Sequence, residues 1–205
     1  MTIADLRRGA WFAPLGACAL MLLLSAGGDS ARALLRWDRA GLTAGQSWRW
    51  LTGHFVHLGW EHALLDLGGL CLLWGLFGRE RSPRQWGLVV LGSIAAIDAG
   101  LWFLDPTLQW YVGSSGWLHG VFAAGIVSWV AARRPERHTP DRQTPDRHTE
   151  GWLLAVVLPG KLLWEHFQGA LPLTSGGAVV TQAHLYGAAG GLLAAIMLEW
   201  RRKPL

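Results

Sequence analysis

Charge is scarce in this chain. Asp, Glu, Lys and Arg make up 16% of its 205 residues, where a soluble domain carries roughly 25%. That shortage argues against an ordinary water-facing globule. Cysteine is scarcer still, with Cys18 and Cys71 the only two. They lie in different apolar segments, so no disulfide is expected, and both should be free, buried thiols behaving as small hydrophobes. Basic residues are missing altogether from stretches 105–112 and 172–178. The order of two histidines flanking a glutamate that marks a zinc peptidase is absent as well.

What remains is strongly apolar: 51% of the residues are hydrophobic and 14 are Trp. The apolar residues fall in six blocks, 11–28, 55–77, 86–104, 116–132, 152–171 and 179–200. Each is close to the roughly 17–25 residues that a hydrocarbon core of about 30 Å requires. Trp or Phe stands at many block ends, as an interfacial aromatic belt would place it. Backbone in lipid must satisfy its own hydrogen bonds, so the expected fold class is an all-α membrane protein of six transmembrane helices.

The net charge of +4 is a topology signal, and no nucleic-acid partner is expected. Most Lys and Arg lie in the N-terminus (Arg7, Arg8), in 79–84, in 133–147 and at the C-terminus (Arg201 to Lys203). In a six-span chain these segments share one side, which places both termini in the cytoplasm. Arg32, Arg36, Arg39 and Arg49 run against the rule, all in the first outer loop. Arg7 and Arg8 before an apolar run ending Ser25-Ala26-Gly27 also resemble a signal peptide. Cleavage there would leave five spans and break the charge pattern, so the segment is read as an anchor.

One membrane domain, 11–200, therefore accounts for nearly everything, between a cytoplasmic N-terminus (1–10) and a basic tail (201–205). Residues 133–150 contain Thr139-Pro140-Asp141-Arg142 and Thr144-Pro145-Asp146-Arg147, a polar tandem repeat read as a flexible cytoplasmic loop. Residues 29–51 mix Leu34, Leu35, Trp37, Trp48 and Trp50 with arginines, which suits a structured segment lying in the interface.

Chemistry enters through Ser115, in Gly113-Ser114-Ser115-Gly116 at the start of the fourth span. With 27 Gly in the chain the motif alone carries little, and a serine capping an ordinary helix is its plainer reading. Its place is more telling, because a helix N-terminus offers unpaired N–H groups to a developing oxyanion. His184 opens the last span, followed by Gly187 and Gly191, whose spacing lets another helix pack closely. If that helix carries Ser115, the imidazole can act as its general base. The second span is read as carrying His54, His57, Glu61, His62 and Asp66, with His62 and Asp66 on one face about 10 Å deep. Zinc binding by that pair is the rival, and no metal is expected. Lys161 and Glu165, four apart, are read as pairing with each other, while Asp98 and Glu165 are intramembrane charges that either line a cavity open to the outside or simply bond helices together. His166 lies at the same depth.

Together these residues resemble a rhomboid intramembrane serine protease. The likeness rests on Gly113-x-Ser115-Gly116, His184-x-x-Gly187-x-x-x-Gly191, and Trp48-Arg49 followed fourteen residues after Trp48 by His62. It covers about residues 11–200. The resemblance implies a dyad of Ser115 and His184 without a third acid, no cofactor, and an oxyanion hole of the Ser115 N–H and the His62 side chain. Two positions depart from the pattern: Asp66 stands where the family has Asn, and His119 where it usually has Tyr. The runs around His54, His119 and Lys161 look more like one subfamily, the rhombosortases. That likeness implies a bacterial inner-membrane enzyme cleaving C-terminal Gly-Gly sorting tails from exported proteins, with an amine-bearing lipid as a candidate acyl acceptor. A general rhomboid protease, an inactive rhomboid-like client-binding protein and a transporter are the competing readings. The lack of an internal repeat counts against the last.

Overall fold

The computed structural model describes residues 11–132, 147–170 and 179–201. Six long helices dominate it: α1 (Phe12–Ala26), α5 (Trp60–Phe77), α6 (Pro83–Phe103), α7 (Ser115–Ala131), α8 (Arg147–Gln168) and α9 (Gln182–Trp200). Between α1 and α5 lie three short helices, α2 (Gly28–Leu35), α3 (Arg39–Thr43) and α4 (Arg49–Thr52). The strands β1 (Trp37–Asp38) and β2 (Trp110–Tyr111) pair antiparallel, Trp37 opposite Tyr111.

The long helices occupy the six apolar blocks, but their hydropathy differs. Among the described residues α6 alone is long and apolar enough to cross a membrane by itself, at mean hydropathy 1.6. The pair α1 and α2 passes jointly, bent by 112°, and α7 is apolar but shorter. The others are diluted by polar residues: Glu61, His62 and Asp66 on α5, Lys161 and Glu165 on α8, Gln182 and His184 on α9. The helices that carry candidate chemistry thus give the weaker membrane signal.

Local sequence sets the helix starts. Ser82 and Gln85 form a reciprocal capping box around Pro83 at the head of α6. Helix α5 starts at Trp60, later than the sequence suggested, because Gly59 holds extended backbone. His54 and His57 therefore lie in the preceding loop, and His62 stands in the first turn rather than two turns deep. Residues 147–150, expected to be loop, form the first turn of α8, where Arg147 pairs with Glu80 at 2.7 Å. The remainder of that expected loop, most of the Thr-Pro-Asp-Arg repeat, both terminal segments and the loop 172–178 lie outside the described residues.

Helix α9 packs most extensively on α7 and next on α6. The glycines on its inner face make that approach possible. A methyl group at Gly187 would run into the Gly116 carbonyl, and one at Gly191 into the backbone of Gly120. At its far end, Glu199 pairs with the buried Arg81 at 3.0 Å. Helix α8 rests mainly on α7 and touches α9 little, leaving a groove of about 530 Å³ lined by Ile126, Leu158, Pro159, Leu162, Leu185 and Leu192.

The segment between α1 and α5 is structured, as its composition suggested. Trp37, Trp50 and Trp102 cluster with ring centroids 5.1–6.2 Å apart, contacts worth about 0.5–1.5 kcal/mol each beyond burial. Arg39 stacks on Trp37 and Trp102 and donates to the Leu101 carbonyl in the last turn of α6 and to the Asp105 and Leu108 carbonyls of the loop after it. Arg49 donates to Ala33 O and Arg36 O at the end of α2. Two of the four arginines that broke the charge rule, Arg39 and Arg49, thus close helix C-termini, where cations are favoured; Arg32 instead bonds Leu58 O and Asp29, and Arg36 pairs with Asp38. Cys18 and Cys71 are free, but only Cys18 is half-buried, while Cys71 is exposed on the outer face of α5. The two thiols neighbour each other.

Candidate active site

Three helices begin at one end of the bundle, and each brings a polar residue in its first turn: His62 on α5, Ser115 on α7 and His184 on α9. Helix N-termini carry positive partial charge and unpaired N–H groups, so this end favours an anion. Helix α8 ends there too, bringing Lys161 and Glu165.

The loop before Ser115 is fixed by β2. The Tyr111 hydroxyl donates to Gly113 O at 2.6 Å, and the Gly113 N–H donates to Gly53 O at 3.1 Å. Burial, reinforced by the Asp66 and Asp98 carboxylates, pushes the Tyr111 phenol well up, so it remains a donor. Gly113 has φ +120°, and the His62 ring fills the space where a Cβ would stand. Only glycine meets both conditions.

With α9 drawn onto α7, His184 Nε2 lies 2.9 Å from Ser115 Oγ. Behind the imidazole, His184 Nδ1 is 2.9 Å from Glu165 Oε2, and Glu165 Oε1 is 2.7 Å from Lys161 Nζ. The His119 ring stacks on His184, centroids 4.2 Å apart and 15° from parallel, so the departure from Tyr keeps an aromatic face. His119 Nδ1 bonds Ser115 O at 2.7 Å, and its Nε2 accepts from Lys161. Glu165 pairs with Lys161, as their spacing suggested, and lines neither the small cavity beside Ser115 nor the apolar groove. Donor atoms of His119, Glu165 and His184 lie within 4.8 Å of one another, close enough to hold a metal ion. The Lys161 ammonium already bonds His119 and Glu165 and lies 3.4 Å from His184, so a metal would have to displace it.

On the other side stands Asp66. Its Oδ2 accepts from the Ser115 N–H at 2.9 Å, the Ser114 N–H at 2.9 Å and the Ser114 hydroxyl at 2.8 Å. His57 Nε2 approaches the same oxygen to 3.2 Å, whereas His62 Nε2 stays at 3.7 Å. The oxyanion donor expected to be open, the Ser115 N–H, is thus already bonded. The physical reason is mutual need: the α7 N-terminus has unpaired donors, and a buried carboxylate requires them. A cavity of about 50 Å³ lined by Leu58, His62, Asp66, Ser115, Val179 and His184 opens beside these atoms, with room for a water or a carbonyl group.

Gly116 sits under α9, where an added Cβ would meet Ile97, the Tyr111 hydroxyl and Ala183 O. Asp98 does not join the site; it bonds His54 at 3.1 Å. His166 packs edge-on to Phe167 and lines the apolar groove instead. His57, Ser114 and Tyr111 were missed as site residues, because nothing in their spacing ties a loop histidine or a strand tyrosine to Ser115.

The rhomboid-domain family model matches residues 44–201, a stretch that holds Ser115, His184, Glu165 and Asp66 together. No curated protein matches the chain. With that match spanning most of its length, the chain belongs to the rhomboid family of membrane proteins, whose members are generally intramembrane serine proteases.

Proposed function

We propose that the protein is an intramembrane serine protease in which Ser115 is the nucleophile and His184 its general base. The observation that carries this reading is the 2.9 Å contact from Ser115 Oγ to His184 Nε2, half-buried at the convergence of three helix N-termini. Ser115 Oγ attacks a backbone carbonyl of the substrate as its proton passes to His184 Nε2. The carbonyl oxygen becomes an oxyanion facing the Ser115 N–H and the His62 ring. On collapse the C–N bond breaks, and Nε2 returns the proton to the departing amine. The acyl-enzyme on Ser115 is then resolved by water or by an amine. Asp66 must release the Ser115 N–H for this oxyanion site to form.

In this reading α1 and α5 to α9 cross a bacterial inner membrane with both termini in the cytoplasm, as the distribution of Lys and Arg favours. Apolar side chains such as Leu64, Leu72, Leu88 and Phe103, all exposed, face lipid. The substrates are exported proteins with a C-terminal Gly-Gly, helix and basic tail, in keeping with the rhombosortase-like runs. An amine-bearing lipid is the acceptor that competes with water. The test measures processing of a membrane-anchored Gly-Gly-tailed substrate. Ser115→Ala and His184→Ala should each abolish it, and processing at the parent rate by either variant overturns the dyad. Cleavage of helices without the tail would instead indicate a general rhomboid protease.

One observation favours a second reading, an inactive client-binding protein: Asp66 Oδ2 occupies the Ser115 N–H. A fluorophosphonate probe separates the two, since an enzyme is labelled at Ser115 and a scaffold is not.

A further inference from the structure

We infer that Glu165 is a positioning residue for His184, making a serine–histidine–glutamate relay of what the family resemblance implies is a dyad. The inference rests on the reading of Ser115 and His184 as nucleophile and base.

A neutral imidazole carries one ring proton, and the base must present a lone pair at Nε2. Two groups compete to decide this at Nδ1. Glu165 Oε2, at 2.9 Å, can only accept and so requires Nδ1–H. Lys161 Nζ, at 3.4 Å, can only donate and would require the opposite tautomer. The carboxylate is nearer, and the ammonium is engaged elsewhere, by Glu165 Oε1 at 2.7 Å and by His119. Nδ1–H is therefore favoured, leaving Nε2 to accept from the Ser115 hydroxyl.

The arrangement is also fixed in space. Glu165 is 4% exposed, and each of its oxygens has its own partner. Lys161 stands four residues earlier on the same face of α8, as an i,i+4 pair must. Lys161 further bonds His119 Nε2, so His119 directs its Nδ1–H to Ser115 O and keeps its ring flat against His184. A single face of α8 thus sets the tautomers of both stacked rings. When the Ser115 proton reaches Nε2, the imidazolium keeps Nδ1–H on the ionised Glu165, which takes no proton itself.

Two experiments on the full-length protein in detergent micelles test this. The first uses Glu165→Gln, nearly isosteric and still able to pair with neighbours. Its kcat on the tailed substrate and its rate of fluorophosphonate labelling should fall about 10²- to 10⁴-fold with KM changed less than about twofold. Added to His184→Ala, it should cost nothing further, because the two act as a unit. Labelling and kcat within about threefold of the parent, or independent losses in the double variant, overturn the inference. The second needs no Glu165 variant to fold. In ¹⁵N-histidine NMR of the parent, the signal absent from His184→Ala should report a protonated Nδ1 and an unprotonated Nε2, and the reverse tautomer overturns the inference. If Ser115→Ala and His184→Ala abolish processing while Glu165→Gln does not, the relay fails and the dyad stands. If the first two remain active, the underlying reading fails.

Discussion

Ser115 stands between two buried carboxylates that are wired in opposite ways. On the α8 flank, Glu165 divides its oxygens, one to His184 Nδ1 and one to Lys161. On the α5 flank, Asp66 gathers Ser114 N–H, Ser114 Oγ, Ser115 N–H and His57 around a single oxygen. In the proposed mechanism Glu165 lies behind the base, His184, where positive charge would form during attack. Asp66 lies where negative charge would form. Identical chemistry therefore has opposite expected consequences, decided by which reacting charge each carboxylate faces.

The largest effect should come from a change that parts His184 from Ser115, between the two flanks. Gly191→Leu places a side chain against the backbone of Gly120 and should force α9 away from α7. Overpacking of this kind costs about 1–3 kcal/mol, and a displacement of about 1 Å in a catalytic pair can cost 10²-fold. Labelling of Ser115 should fall at least about 10²-fold, with a lowered melting temperature in detergent. Unchanged labelling would mean that the glycine contact does not set the distance from His184 to Ser115.

The next comparison is direct. Glu165→Gln should slow the labelling of Ser115, whereas Asp66→Asn should speed it. An amide at position 66 can still accept from the serine N–H groups through its oxygen, yet it removes the charge opposing an oxyanion and offers an N–H donor. We expect labelling and processing to rise roughly tenfold, short of the 10²–10³ that one oxyanion donor typically contributes. A fall instead would show that the carboxylate is needed to hold the Ser114–Ser115 turn. Asp66→Ala separates these effects, since it leaves buried donors unpaired at about 1–3 kcal/mol and should destabilise the fold.

Much of this was legible from residue type and spacing. Six apolar blocks gave the long helices, and Gly187 and Gly191, four apart, announced a close helix contact. His184 and Ser115 could be paired because both stand at the starts of apolar blocks that the charge pattern assigns to one side. Asp66 was visible as a departure but not as the partner of the Ser115 N–H, since that bond depends on how α5 faces the α7 N-terminus. Glu165 was visible as a charge four residues from Lys161. Its bond to His184 was not, because it depends on how α8 is rotated toward α9, which the spacing of Lys161 and Glu165 along α8 does not fix. His57 was placed one helix turn wrong for a local reason, the extended backbone at Gly59 that delays α5.

The smallest effect concerns a carboxylate outside both flanks, and it tests whether they are insulated from the rest of the chain. Asp38 caps α3 by accepting the Gly41 N–H at 2.9 Å and pairs with Arg36 at 2.8 Å. Burial works against its charge, but the Gly41 amide and the Arg36 guanidinium win and hold the carboxyl below its ordinary value. A folded value below the unfolded one makes the contribution fully present above about pH 4 and lost as pH falls through the folded value. Asp38→Asn should remove that acid dependence of the melting temperature. At neutral pH the change should stay under about 1 kcal/mol, because the ion pair is partly exposed to solvent and Asn caps a helix about as well as Asp. Labelling of Ser115 should not move. A parallel loss of labelling would mean that the pairing of Trp37 with Tyr111 carries strain from the first loop to Gly113 and the serine, joining a third region to the two flanks.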